Sequence, residues 1–207
     1  MPFRAESMDF VSNLDTLWAV VTGAILATAG GFAATQIEYR IDTRRREREA
    51  ALFFGEVMSM VRVTVEAAQR ARVFGDPYGP VTMRLLRMVR RELEVYDRNR
   101  ERLFELKEPT MRAHIHTTLL RIIMGVEGTI ESAQEVKEVE TDLASNPDMS
   151  AARKTIMDAK LADQSQRRDL SFEFLDEMSV QAVALAKKLE PIARVDFESL
   201  MKATRDV

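Results

Sequence analysis

Between Thr16 and Ile37 the chain carries no charged residue. About 22 residues make roughly 33 Å of helix at 1.5 Å per residue, the thickness of a bilayer core. Apolar runs of about 10–14 residues are the usual mark of a buried helix in a soluble domain. This one is much longer, so it predicts a single membrane-spanning helix over 16–37. Trp18 stands near one end and Tyr39 just past the other, where amphipathic aromatics favour the headgroup boundary.

The flanks predict an orientation. Residues 1–15 hold only Arg4 against Glu6, Asp9 and Asp15, whereas Arg40, Arg44, Arg45, Arg46 and Arg48 follow the span. An excess of Lys and Arg marks the cytoplasmic side, with acids counting little. Residues 1–15 are therefore expected to form a short extracytoplasmic N-terminus, and residues 38–207 a cytoplasmic domain on a cell inner membrane. Trp18 and the five arginines are the expected membrane-surface residues. Each exposed base gains about 1 kcal/mol near an anionic leaflet, which makes membrane lipids an expected partner. Ala27-Thr28-Ala29 resembles a signal-peptide cleavage site. Against cleavage stand the acidic residues ahead of it and the apolar sequence beyond it.

Large apolar residues are few in the span, and Gly23, Ala27, Gly31 and Thr35 recur every four residues. Such spacing places small side chains in one stripe, where two helices in lipid can approach closely. Gly30 and Ala34 widen it. The stripe predicts packing against a membrane protein partner or a second copy, the alternative being a plain Gly/Ala-rich anchor.

Beyond the span the sequence favours helix. Glycine and proline number 8 and 6, aromatics are 7% of the chain, and charged residues are 30%. With no cysteine, disulfides and thiolate metal sites are excluded. A formal charge of −3 is not that of a nucleic-acid polyelectrolyte, and the basic run in 84–102 lacks the interleaved aromatics that stack bases, so no nucleic acid partner is expected.

One helix is predicted from about Asp15 to Val73, with Phe53, Val57, Met60, Val61, Thr64 and Ala68 on its apolar face. Gly75-Asp76-Pro77-Tyr78-Gly79-Pro80 reads as a loop. A second helix carries Leu85, Val89, Leu93 and Tyr96. Pro109 suits the first turn of a third, with Ile115, Leu119, Ile122, Val126, Ile130 and Ala133 aligned. After a break at Ser145-Asn146-Pro147-Asp148, a fourth helix carries Leu175, Met178, Ala182, Leu185, Leu189 and Ile192, with Pro191 expected to kink its end. Residues 146–168 are polar and weakly patterned, compatible with frayed helix or a mobile arm. The expected fold is all-α, a long N-terminal transmembrane helix continuing into an antiparallel helical bundle.

Tyr96-Asp97-Arg98-Asn99-Arg100-Glu101-Arg102-Leu103, with Leu106 after it, forms a Tyr-x-x-Asn-x-x-x-Leu segment. The arrangement resembles one found in small helical proteins of bacteria that carry a single membrane helix near the N-terminus. Over residues 80–130 that resemblance implies a bundle on an anchor and no activity. Phe104 stands where the usual pattern has glycine.

Catalytic signatures are missing: no phosphate loop, no nucleophile elbow, no His-Glu-x-x-His. His114 and His116 lie two residues apart, about 200° around a helix, and cannot share a metal. Neither catalytic residues, metal nor cofactor are therefore expected. The basic residues Arg84, Arg87, Arg90 and Arg91, with Arg98, Arg100 and Arg102 just beyond, and the acidic group Glu127, Glu131, Glu135, Glu138, Glu140 and Asp142 are expected to pair between neighbouring helices, the alternative being a basic surface for lipid headgroups or an acidic one for a cationic partner. The resulting expectation is a membrane-anchored interaction or scaffold protein and not an enzyme. The alternative is a sensory bundle whose ligand cavity would be lined by Met58, Met60, Met83 and Met88.

Overall fold

The computed structural model describes residues 6–205, with side chains from 18 to 203. Five α-helices follow in order: α1 (Glu6–Val73), α2 (Pro80–Arg98), α3 (Pro109–Ser145), α4 (Ala151–Ala193) and α5 (Phe197–Arg205), with a 3-10 turn over Arg100–Glu105. There is no strand among the described residues. Of the segment expected to lie outside the membrane, residues 1–5 fall outside the described residues, and α1 already begins at Glu6. The chain divides into two compact units, residues 1–45 and residues 46–207.

In the first unit every side chain from Trp18 to Asp42 is exposed. Its most apolar 18-residue window has mean hydropathy 1.5 and none of it is buried, so α1 is long and apolar enough to cross a membrane. Thr28 and Thr35 donate their hydroxyls to the carbonyls of Ala24 (2.8 Å) and Gly31 (3.0 Å) one turn back. Bonding within the helix leaves no hydroxyl proton seeking water, which suits these threonines to apolar surroundings.

The second unit is an antiparallel bundle. From Ala50 onward α1 buries Ala50, Ala51, Phe54, Met58, Val61, Val65 and Ala68. Four of the six residues expected on this face, Val57, Val61, Thr64 and Ala68, are buried, whereas Met60 is 41% exposed and Phe53 only half-buried. The buried face extends past the expected one to Phe54, Met58 and Val65, and the Phe54 ring meets Tyr96 of α2 edge-on at 6.2 Å. Against α4, Arg48 Nε donates to the Ala193 carbonyl (3.1 Å) and Arg62 reaches Asp176 and Ser179, both at 2.8 Å.

The predicted loop between α1 and α2 is present. Thr82 binds Asp76 twice, from its backbone N–H to the carboxylate and from its hydroxyl to the carbonyl, both at 2.7 Å, and Pro80 opens α2. That helix buries Thr82, Leu86, Val89, Leu93 and Tyr96. At its end Asn99 gives its side-chain amide to the Val95 carbonyl (2.8 Å), satisfying a backbone acceptor left free where the helix stops. The 3-10 turn then buries Leu103 and delivers Leu106 to the core.

α3 and α4 pack at close range. A Cβ added at Gly125 would lie 3.0 Å from Leu175 Cβ and 3.1 Å from its Cα, so any side chain there would press α4 outward by a few tenths of an ångström. The pair runs past the main core, and Val136 and Val139 remain buried there. Residues 151–168, compatible in sequence with a mobile arm, are helical throughout and belong to α4, whose first turn is capped by Ser150 accepting from Arg153 N–H. Pro191 lies in the last turn of α4, which ends two residues later with Arg194 in the left-handed region at φ 58°. The sequence reading did not include α5. Its first turn is held by Asp196, whose carboxylate accepts from the Glu198 and Ser199 N–H groups and the Ser199 hydroxyl. Phe197 seats its ring where a side chain at position 55 would stand, since a Cβ on Gly55 would come within 2.0 Å of that ring.

Candidate functional site

The small-residue stripe is a bare surface. Around Gly23, Gly30 and Gly31 no atom stands within 4 Å of the place a Cβ would occupy, and Ala27 and Thr35 are exposed. Helical spacing puts Gly23, Ala27, Gly31 and Thr35 in line, and the Thr35 hydroxyl is bonded inward to Gly31, so the stripe offers little but backbone and methyl groups. Ile25, Leu26 and Phe32 project from the rest of this segment, with Phe32 68% exposed.

The residues expected at the membrane surface are also exposed: Trp18 at 63%, and Arg40, Arg44, Arg45, Arg46 and Arg48 after it. Arg48 has a second attachment, since its guanidinium satisfies the Ala193 carbonyl at the end of α4. Glu47 likewise turns to the bundle and pairs with Lys107.

The expected exchange of charge between the second and third helices does not occur. Arg90 and Arg98 pair with Glu94 on their own helix at 3.7 and 3.9 Å. No ion pair joins the basic residues of α2 to the acidic group on α3 among the described residues. Side chains on exposed helix faces reach partners one turn away at less entropic cost than partners on another helix.

Two polar clusters escaped the sequence reading. Tyr78, in the left-handed region at φ 60°, lies between the guanidiniums of Arg72 and Arg168, 5.0 and 4.0 Å from its ring centre, and donates its hydroxyl to Asp169 at 2.6 Å. Burial first, and then the bond to the Asp169 carboxylate, push the Tyr78 pKa well above the usual tyrosine range, while Arg72 and Arg168 oppose the shift. The cluster ties the α1–α2 loop to α4 by stacking and hydrogen bonding. In the second cluster the Tyr96 hydroxyl and His116 Nδ1 lie 2.6 Å apart. His114 is exposed, and no group of three or more His, Asp or Glu side chains is placed to hold a metal among the described residues.

Of the four methionines expected to line one cavity, Met83 is partly buried against the core. Met58 is buried in the core, Met88 is exposed, and only Met60 lines the apolar trough formed by α1, α2 and α5. That trough was not legible beforehand, because its walls come from three separate stretches of chain. Comparison with family models, with curated proteins and with solved structures finds no match to this chain.

Proposed function

We propose that this chain is a membrane-anchored helical interaction protein. The α1 segment over 16–37 crosses a bacterial inner membrane with its N-terminus outside, and residues 38–207 lie in the cytoplasm. There the protein docks on a membrane protein complex, or associates with its own copy, through Gly23, Ala27, Gly31 and Thr35. One observation carries this reading: an 18-residue apolar window with none of its surface buried. Water makes so much exposed apolar surface unfavourable, at about 25 cal/mol per Å², whereas hydrocarbon removes the cost. Within lipid the shallow stripe gives close backbone approach, and the following arginines favour the cytoplasmic leaflet.

The test is cysteine-free crosslinking through photoreactive groups placed beside the stripe, in native membranes, followed by copurification after mild solubilisation. A discrete adduct is expected, identified as a second copy or another membrane protein. Replacing Gly23, Ala27 and Gly31 together by Leu should abolish it. An adduct that persists unchanged in the triple variant rules out docking through the stripe.

A further inference from the structure

The trough between α1, α2 and α5 encloses about 410 Å³. Phe53, Met60 and Val63 of α1, Val95 of α2, and Leu200 and Met201 of α5 supply apolar walls. Two carboxylates share those walls, Glu56 on α1 and Glu92 on α2, and neither has an ion-pair or hydrogen-bond partner among the described residues. Among the described residues no Arg, Lys or His lines the space. Arg102 stacks on the Phe53 ring at 5.0 Å, but it is paired with Glu105 and is not a lining residue. Glu92 is half-buried and Glu56 exposed, so the two place negative charge at the trough's edge, where it would attract a facing cation.

We propose that this trough binds an amphiphilic organic cation, its apolar body between Met60, Val95 and Leu200 and its charged head beside Glu56 and Glu92. The volume falls in the range of small-ligand pockets, about 300–1,000 Å³, with mostly apolar lining and a few polar groups. A partner helix would need a groove several turns long, whereas α5 already forms one wall here. The site uses residues of the bundle alone and stands whether or not the apolar segment crosses a membrane.

The experiment uses the full chain in lipid nanodiscs and two probes of matched size and shape, tetraphenylphosphonium and tetraphenylborate. Equilibrium dialysis against empty nanodiscs removes the contribution of lipid. Saturable one-to-one binding of the cation is expected, with none of the anion. The Glu56→Gln, Glu92→Gln double variant should bind the cation about tenfold more weakly. Val95→Trp should abolish binding by filling the trough; should that variant fail to fold by circular dichroism, Met60→Trp, also at a partly exposed position, replaces it. Equal uptake of both ions, affinity unchanged in the double variant, or no saturable binding of the cation overturns the proposal. So does a basic amphipathic peptide that binds at these residues when tetraphenylphosphonium does not, because the trough is then a peptide groove.

Discussion

Tyr78 concentrates several interactions in one residue. Its backbone takes a conformation uncommon for a bulky side chain, and its ring and hydroxyl hold Arg72, Arg168 and Asp169 together. Tyr78→Phe should cost about 1 kcal/mol by removing the bond to Asp169 while keeping the stacked ring. It should also alter the alkaline limb. The folded pKa lies above that of a free tyrosine, about 10, so the stabilisation is full below about pH 10 and is lost as pH rises beyond it. Tyr96, raised mainly by its own burial, acts in the same sense. Wild-type melting temperature should therefore fall above pH 10, and the variant's should fall less steeply. Parallel slopes in thermal scans from pH 8 to 11 would show that Tyr78 contributes nothing to that limb.

Among the elements, the α3–α4 pair depends on two glycines in different ways. At Gly125 an added Cβ meets the Leu175 Cβ and backbone, which yield only if the helix itself shifts by a few tenths of an ångström. At Gly128 it meets the Ser171 hydroxyl at 3.0 Å, and that group can rotate away. Urea denaturation should then show Gly125→Leu destabilised by about 1–3 kcal/mol through overpacking. Gly128→Ala should be neutral or stabilised by up to about 1 kcal/mol, since alanine is the better helix former. Equal losses at the two positions would contradict the packing described. Neither glycine stood out beforehand, because a glycine inside a helical run looks the same whether it faces a neighbouring backbone or open water. The element boundaries were more legible. Pro80 and Pro109 open α2 and α3, and the Gly75–Pro80 loop lies where its residues predict it. α5 was not, since nine residues following Pro191 make too short a periodic pattern to separate from a tail.

For the whole molecule, the decisive quantity is the free energy of its apolar segment in water compared with lipid. Ile25→Arg together with Leu26→Arg would place two charges near the centre of the segment, at about 2.5–3.5 kcal/mol each on insertion scales. Wild-type protein should stay with the membrane pellet in alkaline carbonate, and the double variant should appear in the supernatant. Recovery of both proteins in the supernatant would remove the membrane anchor from the proposed function.

Local chemistry determined the helical class, most helix ends and the existence of one apolar segment. Those follow from backbone propensity, proline and glycine geometry, and the length of an uncharged run, none of which needs a distant partner. Val57, Val61, Thr64 and Ala68 of α1 face inward as their spacing predicts, but the edge of that face, with Phe54 against Tyr96 inside and Met60 outside, was decided only by packing. The same holds for Arg48 on the Ala193 carbonyl, Tyr78 between two arginines, and Glu56 with Glu92 in one trough. Each joins residues far apart in the chain, and periodicity records the direction of a side chain around its own helix but not what stands opposite.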